Sequence, residues 1–149
     1  PLSLSTDFDT YKLTNLHDCF VANNNFSYLK GHKITKSDLE KLPLIVLTKG
    51  ATSRISFDDY CLENDINITP EMEFGSNTLI KEFTEAGFGI GMLTEEYLKN
   101  DLESQKLFKL DIEIPLHTKY LGMVWLIDNK SLVAHNFIEF IKSSTHSQE

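Results

Sequence analysis

The chain has 149 residues, 41% hydrophobic and 24% charged, the balance of a globular domain large enough to bury a core without disulfides or metals. Its formal net charge is −8, with no stripe of Lys and Arg to neutralise phosphates, which argues against direct nucleic-acid contact by this segment. Apolar stretches such as residues 122–127 are far too short to cross a bilayer, and no charged-then-apolar start marks a secretory signal.

In chain order, residues 1–10 are polar with little periodicity and read as an irregular lead-in. Residues 13–22 read as extended chain ending in the apolar run Cys19-Phe20-Val21-Ala22, and Asn23, Asn24 and Asn25 as a loop. Ser37-Asp38-Leu39-Glu40 has the pattern of a capping box, opening about one helical turn that Pro43 stops. Residues 44–48 form a short branched apolar run, suited to a strand buried on both faces. Gly50 permits a turn, and a helix is predicted from about residue 53 to 64 with Ile55, Tyr60 and Leu62 on its apolar side.

Residues 68–74 are again extended, interrupted by Pro70. Ser76 or Asn77 can cap a second helix whose apolar face is Leu79, Ile80 and Phe83. Residues 89–93 read as another buried strand, after which Thr94 can cap a short helix with Glu95 and Glu96 in its first turn. Residues 107–114 and 119–127 read as strands, and Asn129 as a turn. Ser131 opens a last helix with Leu132, Val133, Phe137, Ile138 and Ile141 on its apolar side, and residues 143–149 form a polar tail expected to fray. Strands alternating with helices imply an α/β domain with a largely parallel or mixed sheet.

Most candidate chemistry has a plain structural explanation. Gly87-Phe88-Gly89-Ile90-Gly91 resembles a dinucleotide loop, but such a loop follows a strand and opens a helix, whereas this run closes a helix and opens a strand. His17, His32, His117, His135 and His146 show no metal-ligand spacing, so neither a metal site nor a cofactor is expected. Asp58-Asp59 and Glu95-Glu96 suit solvated helix starts better than acid–base chemistry. Cys19 and Cys61 lack a Cys-x-x-Cys pattern and read as buried free thiols compatible with a reducing cytosol. An enzyme with a Cys or His nucleophile has no supporting spacing, and no residue is assigned a catalytic role.

Two strand-to-helix turns point to binding. Thr48-Lys49-Gly50-Ala51-Thr52-Ser53-Arg54 runs from a buried strand through a hydroxyl-rich turn into a helix. Phe74-Gly75-Ser76-Asn77 does the same. Ligands collect where strands of an open α/β sheet end, and free N–H groups with hydroxyls suit a carboxylate or other small anion. Simple helix capping explains each turn alone, but two in one unit favour a shared pocket.

At these residues the sequence resembles the effector-binding domain of bacterial LysR-type transcriptional regulators, over residues 39–140. The matching pieces are Asp38-Leu39 with Leu42-Pro43-Leu44-Ile45, the turn at residues 50–54 before Phe57, and residues 72–76. Then come Leu79-Ile80-Lys81 leading into Glu85-Ala86-Gly87-Phe88-Gly89-Ile90-Gly91-Met92-Leu93, the strand 120–127, and the helix with Ala134, Phe137 and Ile138. The resemblance implies a periplasmic-binding-protein-like (type 2) α/β fold, mainly its second Rossmann-like subdomain, with a mixed sheet flanked by helices. On that template residues 1–13 lead in from a missing first subdomain, 14–127 form the second subdomain with its hinge strands, and 128–149 are a helix returning to the first subdomain plus a tail. The N-terminal helix-turn-helix also has no counterpart here.

The implied function is sensing a small, anionic effector in a cytoplasmic homodimer or higher oligomer, with DNA touched only through the missing head and no membrane partner. Implied effector contacts are Thr48, Gly50, Thr52 and Ser53 from the first turn and Phe74, Gly75, Ser76 and Asn77 from the second, with Lys49 and Arg54 conditional on where they point. The alternative is a solute-receptor lobe of a transport system. The last helix, without a first subdomain, would present its apolar face to another chain.

Overall fold

A computed structural model describes residues 7–128 and 131–145. The chain divides into two compact units, one of Leu16–Lys119 and one of Pro1–Asn15 with Tyr120–Glu149. The strands are β1 (Phe8–Ala22), β2 (Lys33–Ile34), β3 (Leu44–Leu47), β4 (Met72–Phe74), β5 (Ile90–Thr94), β6 (Phe108–Lys109), β7 (Asp111–Ile112) and β8 (Thr118–Leu126). The α-helices are α1 (Lys36–Leu39), α2 (Thr52–Glu63), α3 (Asn77–Glu85), α4 (Lys99–Glu103) and α5 (Leu132–Thr145). Single 3-10 segments occupy Asn24–Leu29 and Glu95–Tyr97.

The main sheet has the order β4-β3-β5-β1-β6, with β8 also pairing β1. β3 lies parallel to both β4 and β5, whereas β1 runs antiparallel to β5 with Asp18 opposite Thr94. The sheet is therefore mixed. Period-two alternation sends neighbouring side chains to opposite faces. Leu44 and Val46 of β3, Phe20 of β1 and Met92 of β5 pack with Phe57 and Tyr60 of α2. Ile45, Val21 and Leu93 pack on the other face with Ile80 of α3 and with Leu98 and Leu107. Burial on both faces is why these strands read as continuous apolar runs.

Several local expectations give way to tertiary context. The first strand starts at Phe8, inside the expected lead-in, because its ladder with β8 begins there: the Ile127 amide donates to Asp7 O at 2.9 Å. Asn23 caps a 3-10 turn instead of opening a plain loop. The capping box belongs to Thr35 and Asp38, two residues before the expected Ser37: the chain leaves β2 directly into the helix, and Thr35 Oγ1 donates to Asp38 Oδ2 at 2.6 Å. That hydrogen bond holds the Asp38 carboxyl below the ordinary carboxylate range.

α2 buries Arg54, Phe57 and Tyr60, while Ile55 and Leu62 are 51% and 81% exposed. Phe57 meets Phe20 edge-on at 6.0 Å, and the Tyr60 hydroxyl donates to Ile114 O at 2.8 Å. These contacts choose the inward face at residues 54, 57 and 60. Residues 107–114, expected as one strand, split into β6 on the main sheet and β7 pairing with β2. Thr94 does not cap the turn after it, since its hydroxyl is turned to Asp18. The turn expected at Asn129 lies outside the described residues.

In the smaller unit, α5 opens with Ser131 Oγ accepting from the Ala134 amide at 3.5 Å and continues through residues 143–145 of the expected tail. The Lys142 ammonium lies over the Trp125 and Tyr11 rings, 5.1 and 5.8 Å from their centroids. Leu132, Val133, Phe137 and Phe140 are exposed, while Ile138 and Ile141 are half-buried.

Candidate functional site

β3 and β4 are parallel neighbours in register, with Leu47 opposite Phe74. One residue further the Thr48 amide donates to Phe74 O at 2.9 Å. The two turns singled out from the sequence therefore leave the same rim of the sheet side by side. β5, parallel to β3, brings Thr94 to the rim at its C-terminal end, and antiparallel β1 sets Asp18 opposite Thr94.

In the first turn Thr48, Lys49 and Gly50 are exposed. Gly50 has φ +93°, a left-handed backbone that favours glycine. Ala51 is the N-cap of α2 and offers no side-chain cap, so the first-turn amides of Thr52, Ser53 and Arg54 face outward with the positive end of the helix dipole. Thr52 is exposed and Ser53 half-buried. In the second turn Ser76 caps α3, its hydroxyl accepting from the Thr78 amide at 3.2 Å. Gly75 and Asn77 are exposed. The Phe74 ring turns away and packs on Phe83 at 4.6 Å, so its backbone carbonyl, not its ring, belongs to the turn.

The two conditional cations separate. Arg54 points inward with 5% of its side chain exposed. Its guanidinium donates to Asp58 Oδ1 at 2.8 Å and Leu47 O at 3.0 Å, and pairs with Glu73 Oε1 at 2.9 Å. It thus ties the first turn of α2 to the ends of β3 and β4, holding both candidate turns in place. Burial opposes its charge, but its hydrogen bonds to Asp58 and Glu73 outweigh that and raise its pKa. Lys49 points to solvent.

The cation at the rim comes from elsewhere. Lys119, at the start of β8, donates to Ser53 Oγ at 2.7 Å and pairs with Asp18, whose side chain is 5% exposed. Thr94 Oγ1 donates to Asp18 Oδ1 at 2.9 Å. No local pattern marked Lys119 or Asp18. The alternation of β8 and the apolar run after Asp18 placed them only on strands, and the pairing between them is a product of the sheet.

A pocket of about 550 Å³ beside the rim is lined by His17, Glu95, Glu96, Lys99, Leu102 and Glu103. Its carboxylates make it a poor host for an anion. His17 Nδ1 lies 2.7 Å from Glu96 Oε1. Burial raises the Glu96 carboxyl, but hydrogen bonds from the His17 side chain and backbone outweigh it and keep the pKa low. Burial pushes the Cys19 thiol up to about 12 and the Cys61 thiol up to about 11. Both are free, and neither is primed as a nucleophile. Among the described residues no helix is long and apolar enough to cross a membrane.

Comparison with known proteins places this geometry. The chain is 28% identical over 122 residues to the HTH-type transcriptional activator CmpR of Synechocystis sp. (strain ATCC 27184 / PCC 6803 / Kazusa), covering 81% of this chain and 40% of that protein. It is 31% identical over 91 residues to the RuBisCO operon transcriptional regulator of Acidithiobacillus ferrooxidans, covering 60% of this chain and 29% of that protein. The chain thus spans well under half the length of these relatives. Among solved structures, the CcmR regulatory domain of Synechocystis PCC6803 in complex with 2-PG superposes with a TM-score of 0.83 at 19% identity, over 97% of this chain and 69% of that one. The effector binding domain of QuiR in complex with shikimate gives 0.78 at 17% identity, over 99% and 69%. The model of the LysR substrate binding domain matches residues 1–145. The chain belongs to the LysR substrate-binding domain family and has its type 2 periplasmic-binding-protein-like α/β fold.

Proposed function

We propose that this chain is the effector-sensing part of a LysR-type regulator, taking a small anionic metabolite at the rim formed by Thr48, Gly50, Thr52 and Ser53 and by the backbone of Phe74 with Gly75, Ser76 and Asn77. The observation that carries the reading is the convergence of the two turns, joined by the Thr48 amide on the Phe74 carbonyl at 2.9 Å. On this reading residues 14–127 are the second effector-binding subdomain with β1 and β8 as its hinge strands, and the compact unit Leu16–Lys119 is its body. Occupancy acts by favouring one arrangement of a cytoplasmic homodimer or higher oligomer over another, and a helix-turn-helix domain on the same polypeptide reads the DNA. The role is binding, not catalysis. That the curated relatives are transcriptional regulators supports this over a transport receptor.

The test is an amide-resolved NMR titration with 2-PG and with shikimate, the ligands named for CcmR and QuiR. Shifts concentrated at residues 48–54 and 74–77 are expected. Saturable shifts confined to other parts of the chain would refute the site. A helix-turn-helix in the upstream coding sequence is expected; a lipoprotein signal there would favour the receptor.

A further inference from the structure

We infer that Lys119 is the charge-selecting residue of the rim, donating its ammonium to an oxyanion of the ligand, with Asp18 as its positioning carboxylate. The inference rests on reading the rim as the ligand site and adds the residue that sets which charge is accepted. Ligands recognised by the turns alone need only hydroxyls and amides, which take neutral polyols as well as anions. A fixed cation discriminates between them.

Three observations single out Lys119. It reaches the first turn from a distant strand, with its Nζ 2.7 Å from Ser53 Oγ. It is partly shielded, with 18% of its side chain exposed. An ammonium has three N–H donors, and among the described residues Ser53 and Asp18 take two of them. The third remains for an oxyanion beside the open first-turn amides of α2.

Asp18 has a different part. Its carboxylate is 5% exposed and is itself held by Thr94 at 2.9 Å, so it fixes the ammonium in one place. Arg54 does not take this role, because its guanidinium is turned inward onto Leu47, Asp58 and Glu73 with 5% of its side chain exposed. Lys49 is exposed.

The experiment titrates the 149-residue chain with shikimate, with inorganic phosphate and with glycerol as neutral control, following the amides of residues 52–54 and the Lys119 side chain by NMR. Wild type should show both sets of signals moving together with the oxyanions and not with glycerol. Lys119→Met should weaken oxyanion binding by roughly tenfold or more, the loss of one charge-assisted hydrogen bond. Lys119→Arg should restore most of it, and Asp18→Asn should fall between. Response to shikimate alone identifies a carboxylate site, and response to phosphate a more general one. Oxyanions that move residues 52–54 in wild type while the Lys119 side chain stays still, or that bind Lys119→Met as tightly, overturn the role of Lys119 and leave the rim standing. Oxyanions that move neither turn in wild type overturn the rim and the lysine together. The wild-type side-chain signal keeps the test decisive if a variant misfolds.

Discussion

At Arg54 a full charge lies under the rim with 5% of its side chain exposed, satisfied by two carboxylates and one carbonyl. Removing it leaves Leu47 O without this donor and Glu73 without its partner. Glu73 and Asp58 are themselves 36% and 49% exposed and regain water, so the loss should fall below that of a fully buried pair. Arg54→Met is expected to lower unfolding free energy by about 2 kcal/mol, measured by urea denaturation, and Arg54→Lys by less. An unchanged midpoint would mean that the guanidinium does not hold the turns. The two thiols supply a second expectation. With pKa values of about 12 and 11, the thiolate fraction at pH 8 is roughly a thousandth or less. Iodoacetamide should therefore label native Cys19 and Cys61 very slowly and unfolded protein quickly, read by mass spectrometry. The sign for stability follows: the folded values lie above the ordinary 9.0, so this contribution is intact below pH 9.0 and fades as pH rises toward 11 and 12. Side-chain direction at this scale was not legible in advance. Arg54 and Lys49 flank the same turn, yet only packing decides that one is buried and the other solvated.

Elements were legible where periodicity and breakers agree. The run at residues 44–48 predicts β3, the strand 89–93 predicts β5, and of the two expected caps of α3, Ser76 and Asn77, Ser76 takes the position. The glycine run packs closely at Gly89, where an added Cβ would lie 2.5 Å from Pro43 O and 2.9 Å from Ile45 Cγ1. Pro43 O also accepts the Ile90 amide at 2.9 Å, so backbone must shift to make room. Gly89→Ala should cost about 1–3 kcal/mol by thermal or urea unfolding; a neutral result would show that β3 and β5 yield more readily than this packing implies. The inward face of α2 departs from the expected one for a physical reason. Its inward face is built of Arg54, Phe57 and Tyr60, and an arginine at the start of that row hides the stripe from a reading based on apolar residues alone.

At the level of the chain, β1 and β8 each run from one compact unit into the other. In the smaller unit Leu132, Val133, Phe137 and Phe140 of α5 are 71%, 79%, 57% and 65% exposed. Fully burying a Phe or Leu side chain is worth ~1.5–3 kcal/mol, so a face of this kind rarely stays in water. The 149-residue chain should self-associate with rising concentration in sedimentation velocity, and Phe137→Ser with Phe140→Ser should reduce this. A single monomer species at all concentrations would contradict the expectation.

The sequence by itself determined the α/β class, the positions of the buried strands and the two polar turns, because burial periodicity, capping hydroxyls and glycines act over a few residues. The tertiary structure alone decided that Lys119 and Asp18 meet at Ser53, that Thr94 holds Asp18 instead of a helix end, and that residues 107–114 divide between two sheets. Those outcomes depend on which strands become neighbours. Strand order arises from the competition of long-range contacts for the same core, and no local spacing encodes it.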